Sequence, residues 1–589
     1  MVRFRRRLAH VDALPQLSLL GLAAGLLTGL VMVAFRLAIE VPLGAVLPGG
    51  DEEAFERLPA PVVFLLPVLG GLLLGVAFGR LAPERRSVGV THVMERLARH
   101  QGHVPAANAW AQFLGGIVAL ATGQSAGREG PAIHLGAAAS SLLGQRMRLP
   151  NNSIRTMVGC GTAAAISASF NTPLAGVIFA MEVVMMEYSV VSFIPVIIAS
   201  VSATLVTVAV FGRVLAFEVP AMASAGLWET PFFLADGLLL GLLAALFIRL
   251  VQAFGNLGRR PAWQRFTLAG ALTGAAALLA PEVLGVGYDS VDAALVGGLG
   301  LEALLLVGVL KLVVSAASTG LGLPAGFIGP VLEIAALAGG ALGTLGGELW
   351  PAEASVSGFH ALVGMAAMMG AVLQAPLAAL MTVLELTGNP NTIVPAMVAI
   401  VVANLTCSIF HGPRSLFVSV LEARGLTFDT DPLTLALQRA GVGSQMERRI
   451  ARARRRLTRA EAAALLERDP RWVVVDLDEG PAFVLAASDL RRHLETLTAD
   501  AAVPAEEEVP AAEAPREGEE LLVDLLAIPG LRKDVVLLQF QATLHEAMTR
   551  LKETGREAVC VTRTAAPMIT PIIGVLTRED IEKFYGLRG

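Results

Sequence analysis

The chain has 589 residues, of which 54% are hydrophobic and only 16% are charged. This composition predicts a polytopic membrane protein and excludes an ordinary soluble domain. The net charge of −5 decides little, because most charged residues lie before residue 15 or after residue 425. The three cysteines show no CxxC spacing, so neither a disulfide framework nor a zinc site is supported.

The first half of the chain predicts a series of membrane helices. Residues 1–7 are basic, so the positive-inside rule puts the N-terminal segment 1–14 in the cytoplasm. The apolar run that follows is too long for a signal peptide. Apolar helices are predicted at 14–39, 60–81, 106–121, 154–168, 173–186 and 191–211, with a short helix at 92–100. Several are shorter than the roughly 20 residues that a full span needs, which is typical of broken helices that line a cavity.

The sequence Gly-Arg-Glu-Gly-Pro at 127–131 lies deep in this apolar region. A carboxylate at membrane depth costs roughly 2.5 kcal/mol or more, so Glu129 is a functional hypothesis. Gly130 and Pro131 predict that a helix opens here and continues over 132–143. Such an opening directs free N–H groups and a positive dipole end at Glu129, and that end attracts anions. The stretch therefore predicts an anion site with a titratable carboxylate; the alternative is a structural ion pair between Glu129 and Arg128.

The second half repeats the pattern of the first. Its apolar helices are predicted at 232–254, 266–279, 301–316, 361–372, 376–386 and 394–409. Each half has a Gly-Pro helix start, at Gly130 and Gly329, and a Pro-Leu-Ala motif followed nine residues after its proline by Glu182 or Glu385. Matched short helices predict two structural repeats with the site at their interface. The repeats are assigned to residues 15–215 and 230–425; the pattern itself does not reveal whether one is inverted.

After residue 431 the composition becomes that of a soluble protein. A basic run at 448–459 precedes an amphipathic helix and a strand at 472–476. A helix, two strands and a helix are predicted at 543–554, 558–562, 572–576 and 578–585. These features predict two small α/β units in a cytoplasmic tail, at 434–500 and 531–589. The Ala-, Pro- and Glu-rich segment between them, 501–530, is assigned as a linker.

The motifs at 127–131, Gly-x-x-x-Pro at 326–330, and Phe-Asn-Thr-Pro-Leu-Ala-Gly at 170–176 with Glu182 resemble those of the CLC chloride channels and exchangers. The resemblance covers about residues 15–425, and the tail resembles two CBS modules. It implies an all-α polytopic membrane fold with repeated, inverted halves and broken helices, plus a cytoplasmic α/β CBS-like pair. It further implies a non-enzymatic homodimer in a bacterial inner membrane, with both termini cytoplasmic and one chloride pathway per subunit. Chloride, protons and lipid are the expected partners, and nucleic acid is not.

The family resemblance assigns roles to the central residues. Glu129 matches the gating glutamate, whose carboxylate occupies the outer anion site when charged and leaves it when protonated. Gly127 and Gly130 let the backbone approach the ion. Phe327 and Ile328 match positions that offer backbone N–H groups to chloride. Arg128, also placed at the anion site, either shapes the local potential or pairs structurally.

Two inner anion-site positions depart from the family pattern. Val88 stands where a serine normally donates a hydroxyl to the anion. Ser87 lies one position earlier, and the sequence leaves open whether its hydroxyl takes over that contact. Phe417 stands where a tyrosine usually coordinates the central chloride. A hydrogen bond to a charged group contributes about 1.5–3 kcal/mol, so the loss of two hydroxyl donors predicts weak central chloride binding.

The inner proton position departs as well, because Val183 stands where exchangers carry a glutamate. Glu182 or Glu187 are alternative proton acceptors. The sequence therefore favours a channel-like or weakly proton-coupled chloride conductor, with a coupled chloride/proton antiporter as the alternative. His134, on the helix after Glu129, either tunes that carboxylate or is simply packed.

The remaining expectations concern cofactors and other function classes. Thr577 and Asp580 resemble a CBS segment whose Asp holds a ribose, and Asp489 is the counterpart in the first module. The tail therefore either binds an adenine nucleotide or serves only in dimerisation; no other cofactor is expected. An intramembrane enzyme is disfavoured because no HExxH or paired-Asp motif occurs. A cation-coupled transporter of another fold should carry an acidic residue at each of the two paired helix breaks. Here only the first break, at 127–131, carries one, which is Glu129.

Overall fold

A computed structural model describes residues 8, 13–48, 54–188, 190–213, 217, 229–349, 357–426, 432–477, 480–500, 522–563 and 571–586. The chain divides into two compact units. The membrane unit contains Leu14–Met147 and Ile154–Asp429. The tail unit contains Met1–Ala13, Arg148–Ser153 and Thr430–Gly589.

Helices make up the membrane unit. In the first half they are α1 (Leu14–Val46), α2 (Ala60–Arg80), α3 (Gly89–Arg99), α4 (Ala106–Ala121), α5 (Glu129–Arg146), α6 (Asn151–Phe170), α7 (Pro173–Phe179) and α8 (Val190–Phe211). In the second half they are α9 (Thr230–Gly255), α10 (Ala262–Ala277), α11 (Tyr288–Val296), α12 (Leu301–Leu321), α13 (Ile328–Leu349), α14 (Ser357–Leu373), α15 (Pro376–Thr387), α16 (Ile393–His411) and α17 (Leu416–Ala423). A π-helical turn, Ala180–Val184, follows α7 directly.

Seven helical segments of the described chain are long and apolar enough to cross a membrane. They are Leu14–Val46, Ala60–Arg80, Ser192–Phe211, Thr230–Arg259, Leu301–Leu321, Ile328–Glu348 and Pro390–Ala423. Leucines such as Leu19, Leu30 and Leu69 stay exposed on these helices, which suits a face toward lipid acyl chains. The prediction of a polytopic membrane protein is confirmed, with shorter helices such as α7 and α15 between the spans.

The two halves make reciprocal contacts of the kind that a local two-fold axis produces. Glu182, after α7, accepts hydrogen bonds from the first backbone N–H groups of α15, with Ala378 N at 2.6 Å. Glu385, in α15, accepts from the first N–H groups of α7 in the same way, with Ala175 N at 2.6 Å. The residues two positions before the paired prolines, Asn171 and Gln374, both have positive φ, 58° and 50°. The predicted repeat is thus confirmed by local conformation as well as by contacts.

The two halves also meet at a bridge between Gly127 and Gly326. Each of these glycines donates its N–H to the other's carbonyl at 2.7 Å, in an antiparallel bridge. Exchange of both bonds requires the two segments to run in opposite directions at this point. The helices that follow them, α5 and α13, therefore start close together.

The tail unit is an α/β structure built from two similar parts. Its strands are β1 (Ile450–Arg454), β2 (Arg456–Thr458), β3 (Trp472–Leu477), β4 (Gly480–Ala486), β5 (Leu522–Asp524), β6 (Arg532–Gln539), β7 (Ala558–Thr562) and β8 (Ile572–Thr577). Its helices are α18 (Pro432–Arg439), α19 (Arg459–Leu466), α20 (Ala487–Asp500), α21 (Leu544–Thr554) and α22 (Arg578–Gly586). The six-stranded sheet has the order β1-β3-β4-β6-β7-β8, and β2 pairs with β5.

The two parts of the tail share topology and capping. In each, a parallel strand pair is followed by an antiparallel one: β1 with β3 and β3 with β4, then β6 with β7 and β7 with β8. The first helix of each part starts at a threonine–glutamate capping box, Thr458 with Glu461 and Thr543 with Glu546. This confirms the predicted α/β pair, while kinship with CBS modules stays a prediction.

The predicted boundaries differ from the structure in a few places. Strand β5 lies inside the segment assigned as a linker, and residues 501–521 lie outside those described. Strands β1, β2, β4 and β6 were missed, as were the helices α11, α17, α18 and α20. The arginines at the predicted basic N-terminus, in residues 1–7, also lie outside the described chain.

Candidate anion-transport site

The site is built where α5 and α13 begin. A Cβ added to Gly130 would lie 2.7 Å from the Cα of Gly326, and one added to Gly326 would lie 2.6 Å from the Gly130 nitrogen. Only glycine at both positions allows the two backbones to approach this closely. Each helix leaves its first N–H groups without intrahelical partners. The glycines thus bring two electropositive helix ends to one buried place.

Glu129 lies between these helix ends, and its side chain is buried, with the residue 1% exposed. Its Oε2 accepts a hydrogen bond from the Gly329 N–H at 3.2 Å, in the first turn of α13. Its Oε1 accepts one from the Tyr288 hydroxyl at 2.7 Å. A carboxylate therefore occupies a position at a helix N-terminus, which is where an anion is stabilised.

Phe327 and Ile328, the predicted backbone donors, immediately precede Gly329 and are buried. The backbone donor to Glu129 is the N–H of Gly329, the residue after Ile328, and not that of Phe327 or Ile328. The anion-binding role of Phe327 and Ile328 stays a prediction. Their place at the start of α13, beside the carboxylate, puts their N–H groups on the same helix end.

Arg128 does not pair with Glu129. Its Nη1 lies 3.5 Å from Glu40 Oε1, and its guanidinium lies 5.2 Å from the centre of the Tyr288 ring. Glu40 in turn accepts from Arg36. The alternative of an Arg128–Glu129 ion pair is therefore not what the structure contains. A role of Arg128 in anion binding stays a prediction.

Arg128 also lines a cavity of about 210 Å³ in the membrane unit. The charged residues along this cavity are Arg36, Glu40, Glu56, Arg128, Glu282 and Asp289. Leu120, Ala132 and Leu284 contribute apolar wall. Residue Gly287, next to Tyr288, also belongs to the lining, so the cavity reaches the segment that contacts Glu129.

A buried ion pair supports the segment before Tyr288. Lys311 Nζ lies 2.7 Å from Glu333 Oε2, and both side chains have no exposed surface. The same ammonium donates to the carbonyls of Val283 and Gly285, at 3.1 and 3.2 Å. Lys311 thus ties residues 283–285 to α13, the helix whose first turn holds Glu129.

The family model for voltage-gated chloride channels matches residues 70–408. The chain belongs to the CLC family. A putative chloride channel protein, ClcB-like, from Ralstonia nicotianae is 31% identical over 407 residues, covering 67% of this chain and 93% of the relative. An H⁺/Cl⁻ exchange transporter, ClcA, from Yersinia pestis is 28% identical over 436 residues, covering 71% of this chain and 90% of the relative.

Solved CLC structures share the fold. A slow cyanobacterial Cl⁻/H⁺ antiporter matches 69% of this chain and 97% of its own, with a TM-score of 0.61 and 22% identity. A eukaryotic CLC transporter matches 97% of this chain and 99% of its own, with a TM-score of 0.58 and 19% identity. These likenesses confirm the CLC fold.

The inner positions of this CLC protein are apolar. Phe417, in α17, is buried, and its ring centre lies 4.9 Å from that of Phe327. Val88 is half-buried and packs against an apolar cluster that includes Leu323, in the segment before Phe327. The side chain of Gln112 strengthens this junction, accepting from Gly89 N at 2.7 Å and donating to the Pro324 carbonyl at 2.8 Å. Both predicted departures therefore lie beside the start of α13.

Ser87 contributes to this junction through its backbone, since its carbonyl accepts from Asn108 Nδ2 at 2.9 Å. Its hydroxyl as an anion ligand stays a prediction. Val183 is buried in the π-helical turn that follows α7.

Both carboxylate oxygens of Glu182 accept backbone N–H groups, from Leu377 at 3.4 Å and Ala378 at 2.6 Å. Glu182 therefore caps α15, as Glu385 caps α7. This shared geometry favours a structural role for both glutamates. Proton acceptance by Glu182 or Glu187 stays a prediction.

Sequence reasoning missed Tyr288 and Lys311, and it missed His92 as the partner of His134. Tyr288 and Lys311 were not singled out, although Lys311 is the only lysine before residue 533 and lies in an apolar run. An isolated lysine at membrane depth is a signal that could have found it. His134 was considered alone, but its Nε2 lies 2.9 Å from Nδ1 of His92, so α5 and α3 share a buried histidine pair.

In the tail, Asp580 is engaged locally. Its Oδ2 accepts from Thr577 N at 2.9 Å and from Thr577 Oγ1 at 2.7 Å, at the start of α22. Asp489 lies 3.9 Å from Arg492, one turn along α20. Adenine-nucleotide binding at these residues stays a prediction.

Proposed function

We propose that this CLC protein moves chloride across a lipid bilayer through a pathway in each subunit, gated by protonation of Glu129. The observation that carries the proposal is the Gly329 N–H bond to the Glu129 carboxylate at a buried helix end. A carboxylate held there occupies a position that suits a chloride ion. Protonation removes its charge and weakens that bond, so the side chain leaves and chloride takes its place.

We further propose that transport is channel-like or only weakly coupled to protons. Apolar Val88, Phe417 and Val183 support this, because they replace two inner hydroxyl donors and the inner proton acceptor. Glu182 is occupied in capping α15, which weakens its candidacy as a substitute acceptor.

A coupled chloride/proton antiporter is the second candidate. The similarity to relatives named H⁺/Cl⁻ exchange transporters favours it. The pathway would then need another inner proton acceptor. We also propose a homodimer in a bacterial inner membrane, with both termini in the cytoplasm.

The test is chloride efflux from liposomes containing the purified full-length protein, with external pH recorded simultaneously. Chloride efflux without proton movement supports the channel-like mechanism. Proton uptake in a fixed ratio to chloride, driven uphill by a chloride gradient, supports the antiporter. The absence of chloride efflux from correctly folded protein would contradict the proposed function itself.

A further inference from the structure

The Tyr288 hydroxyl is the side-chain donor that reaches Glu129, and it comes from a different repeat. The distance to Glu129 Oε1 is 2.7 Å, whereas the backbone donor Gly329 lies 3.2 Å from the other oxygen. Tyr288 is the first residue of α11 and is 8% exposed. The shorter of the two bonds that hold the carboxylate therefore comes from a phenol.

The backbone before Tyr288 is shaped to aim this hydroxyl. Gly287 has φ of 86°, a left-handed conformation that favours glycine. A Cβ there would lie 1.7 Å from Glu333 Oε2, so any side chain would have to displace this carboxylate. Glu333 is held by Lys311, which also binds the carbonyls of Val283 and Gly285. A buried, fully desolvated ion pair thus fixes the segment that carries the phenol.

The Tyr288 ring is also fixed from its sides. The Phe217 ring meets it edge to face, with centres 5.4 Å apart, and Phe170 lies 6.4 Å away. The Arg128 guanidinium lies 5.2 Å from the ring centre. A cation over a phenol ring withdraws electron density from the hydroxyl, which makes it a stronger donor to a carboxylate.

We propose that Tyr288 is a latch that selectively holds the ionised form of Glu129 in the anion pathway and so sets the pH at which the gate opens. A hydrogen bond to a charged acceptor is about twice as strong as one between neutral groups. The Tyr288 bond therefore stabilises ionised Glu129 more than protonated Glu129. Lys311 acts indirectly: it holds the carbonyls of Val283 and Gly285 and so positions the segment that leads into Tyr288. The inference rests on the gating role proposed for Glu129.

Other charged or titratable groups lie on the elements that carry Glu129 and Tyr288, on elements that pack against those, in the lining of the cavity or in the Lys311–Glu333 pair. They are Arg36 and Glu40 of α1, His92 of α3, Arg128 and His134 of α5, Glu282 before α11, Asp289 of α11, Lys311 of α12 and Glu333 of α13. A Tyr288→Phe substitution leaves all of these charges in place. It removes one hydroxyl and keeps the ring between Phe217 and Arg128.

The test compares the pH dependence of chloride efflux in four variants of the full-length protein: Y288F, E129Q, the double variant, and Y585F. Tyr585 lies in α22 of the tail, so Y585F removes the same hydroxyl away from the site and serves as the matched control. Y288F should move the pH of half-maximal efflux upward by about 1 unit, because ionised Glu129 loses a charge-assisted bond. Y585F should leave the midpoint unchanged, and Y288F should add nothing to E129Q.

The possible failures are distinguishable. If E129Q flattens the pH profile but Y288F superimposes on the unchanged protein, the latch is wrong and the Glu129 gate stands. If E129Q keeps the full pH dependence, the gate is wrong and the latch falls with it. Thermal unfolding of each purified variant checks folding, and a Y288F protein that is folded but unshifted overturns the inference.

Discussion

Removal of the buried ammonium by Lys311→Met should destabilise the membrane unit strongly. The substitution leaves Glu333 fully buried without its partner at 2.7 Å, and the carbonyls of Val283 and Gly285 lose their donor. Breaking a buried ion pair by removing one partner costs about 3–5 kcal/mol. Most of that penalty comes from the buried carboxylate that has lost its cation, so the double variant K311M/E333L should recover much of it.

Equilibrium unfolding in mixed micelles measures this prediction. Lys552→Met is the matched control, because Lys552 is exposed on α21 and loses the same charge without burial. The expected order of stability is the unchanged protein and K552M together, then K311M/E333L, then K311M. If K311M unfolds like K552M, or if the double variant is less stable than K311M, the assignment of Lys311 and Glu333 as a mutually neutralising pair is wrong.

Three further predictions concern the caps, the central site and the tail. Glu182→Gln and Glu385→Gln should each cost about 1–3 kcal/mol of unfolding free energy, because each replaces a charged acceptor of two helix N–H groups. Neither substitution should change proton movement. A loss of proton movement in E182Q but not in E385Q would identify Glu182 as the proton acceptor. Titration calorimetry should find weak chloride binding at the central site, where Phe417 brings no hydroxyl, and tight binding there would contradict this. Burial raises the pKa of Cys560 to about 12, so at pH values well below this the thiol is protonated. With Cys160 and Cys407 replaced by alanine, iodoacetamide should label Cys560 only after denaturation. Rapid labelling of the folded protein would refute the burial of Cys560 in β7.

Local sequence patterns were enough to predict much of the membrane fold. The bounds of α4, Ala106–Ala121, match the prediction because polar turns interrupt the apolar run at both ends. The matched Gly-Pro and Pro-Leu-Ala motifs indicated the repeat before any contact was known. The bridge between Gly127 and Gly326 could not be predicted from these motifs, because the two residues lie far apart in the chain.

The contacts that complete the site were not accessible in the same way. Tyr288 and Glu129 are 159 residues apart, and the motif around Glu129 carries no sign of a phenol partner. The Lys311–Glu333 pair joins two apolar helices whose periodicity says nothing about their mutual register. In the tail, β1 was hidden in a basic run, because its arginines suggest a solvated segment although the strand pairs with β3.

Glu129→Gln is the most direct test of a carboxylate that competes with chloride at a helix end. Glutamine keeps the size of the side chain and cannot carry a negative charge. Chloride efflux from liposomes should then be equal at acidic and neutral pH, and as fast as acid-stimulated efflux through the unchanged protein. Efflux through E129Q that still falls sharply between acidic and neutral pH would contradict the account.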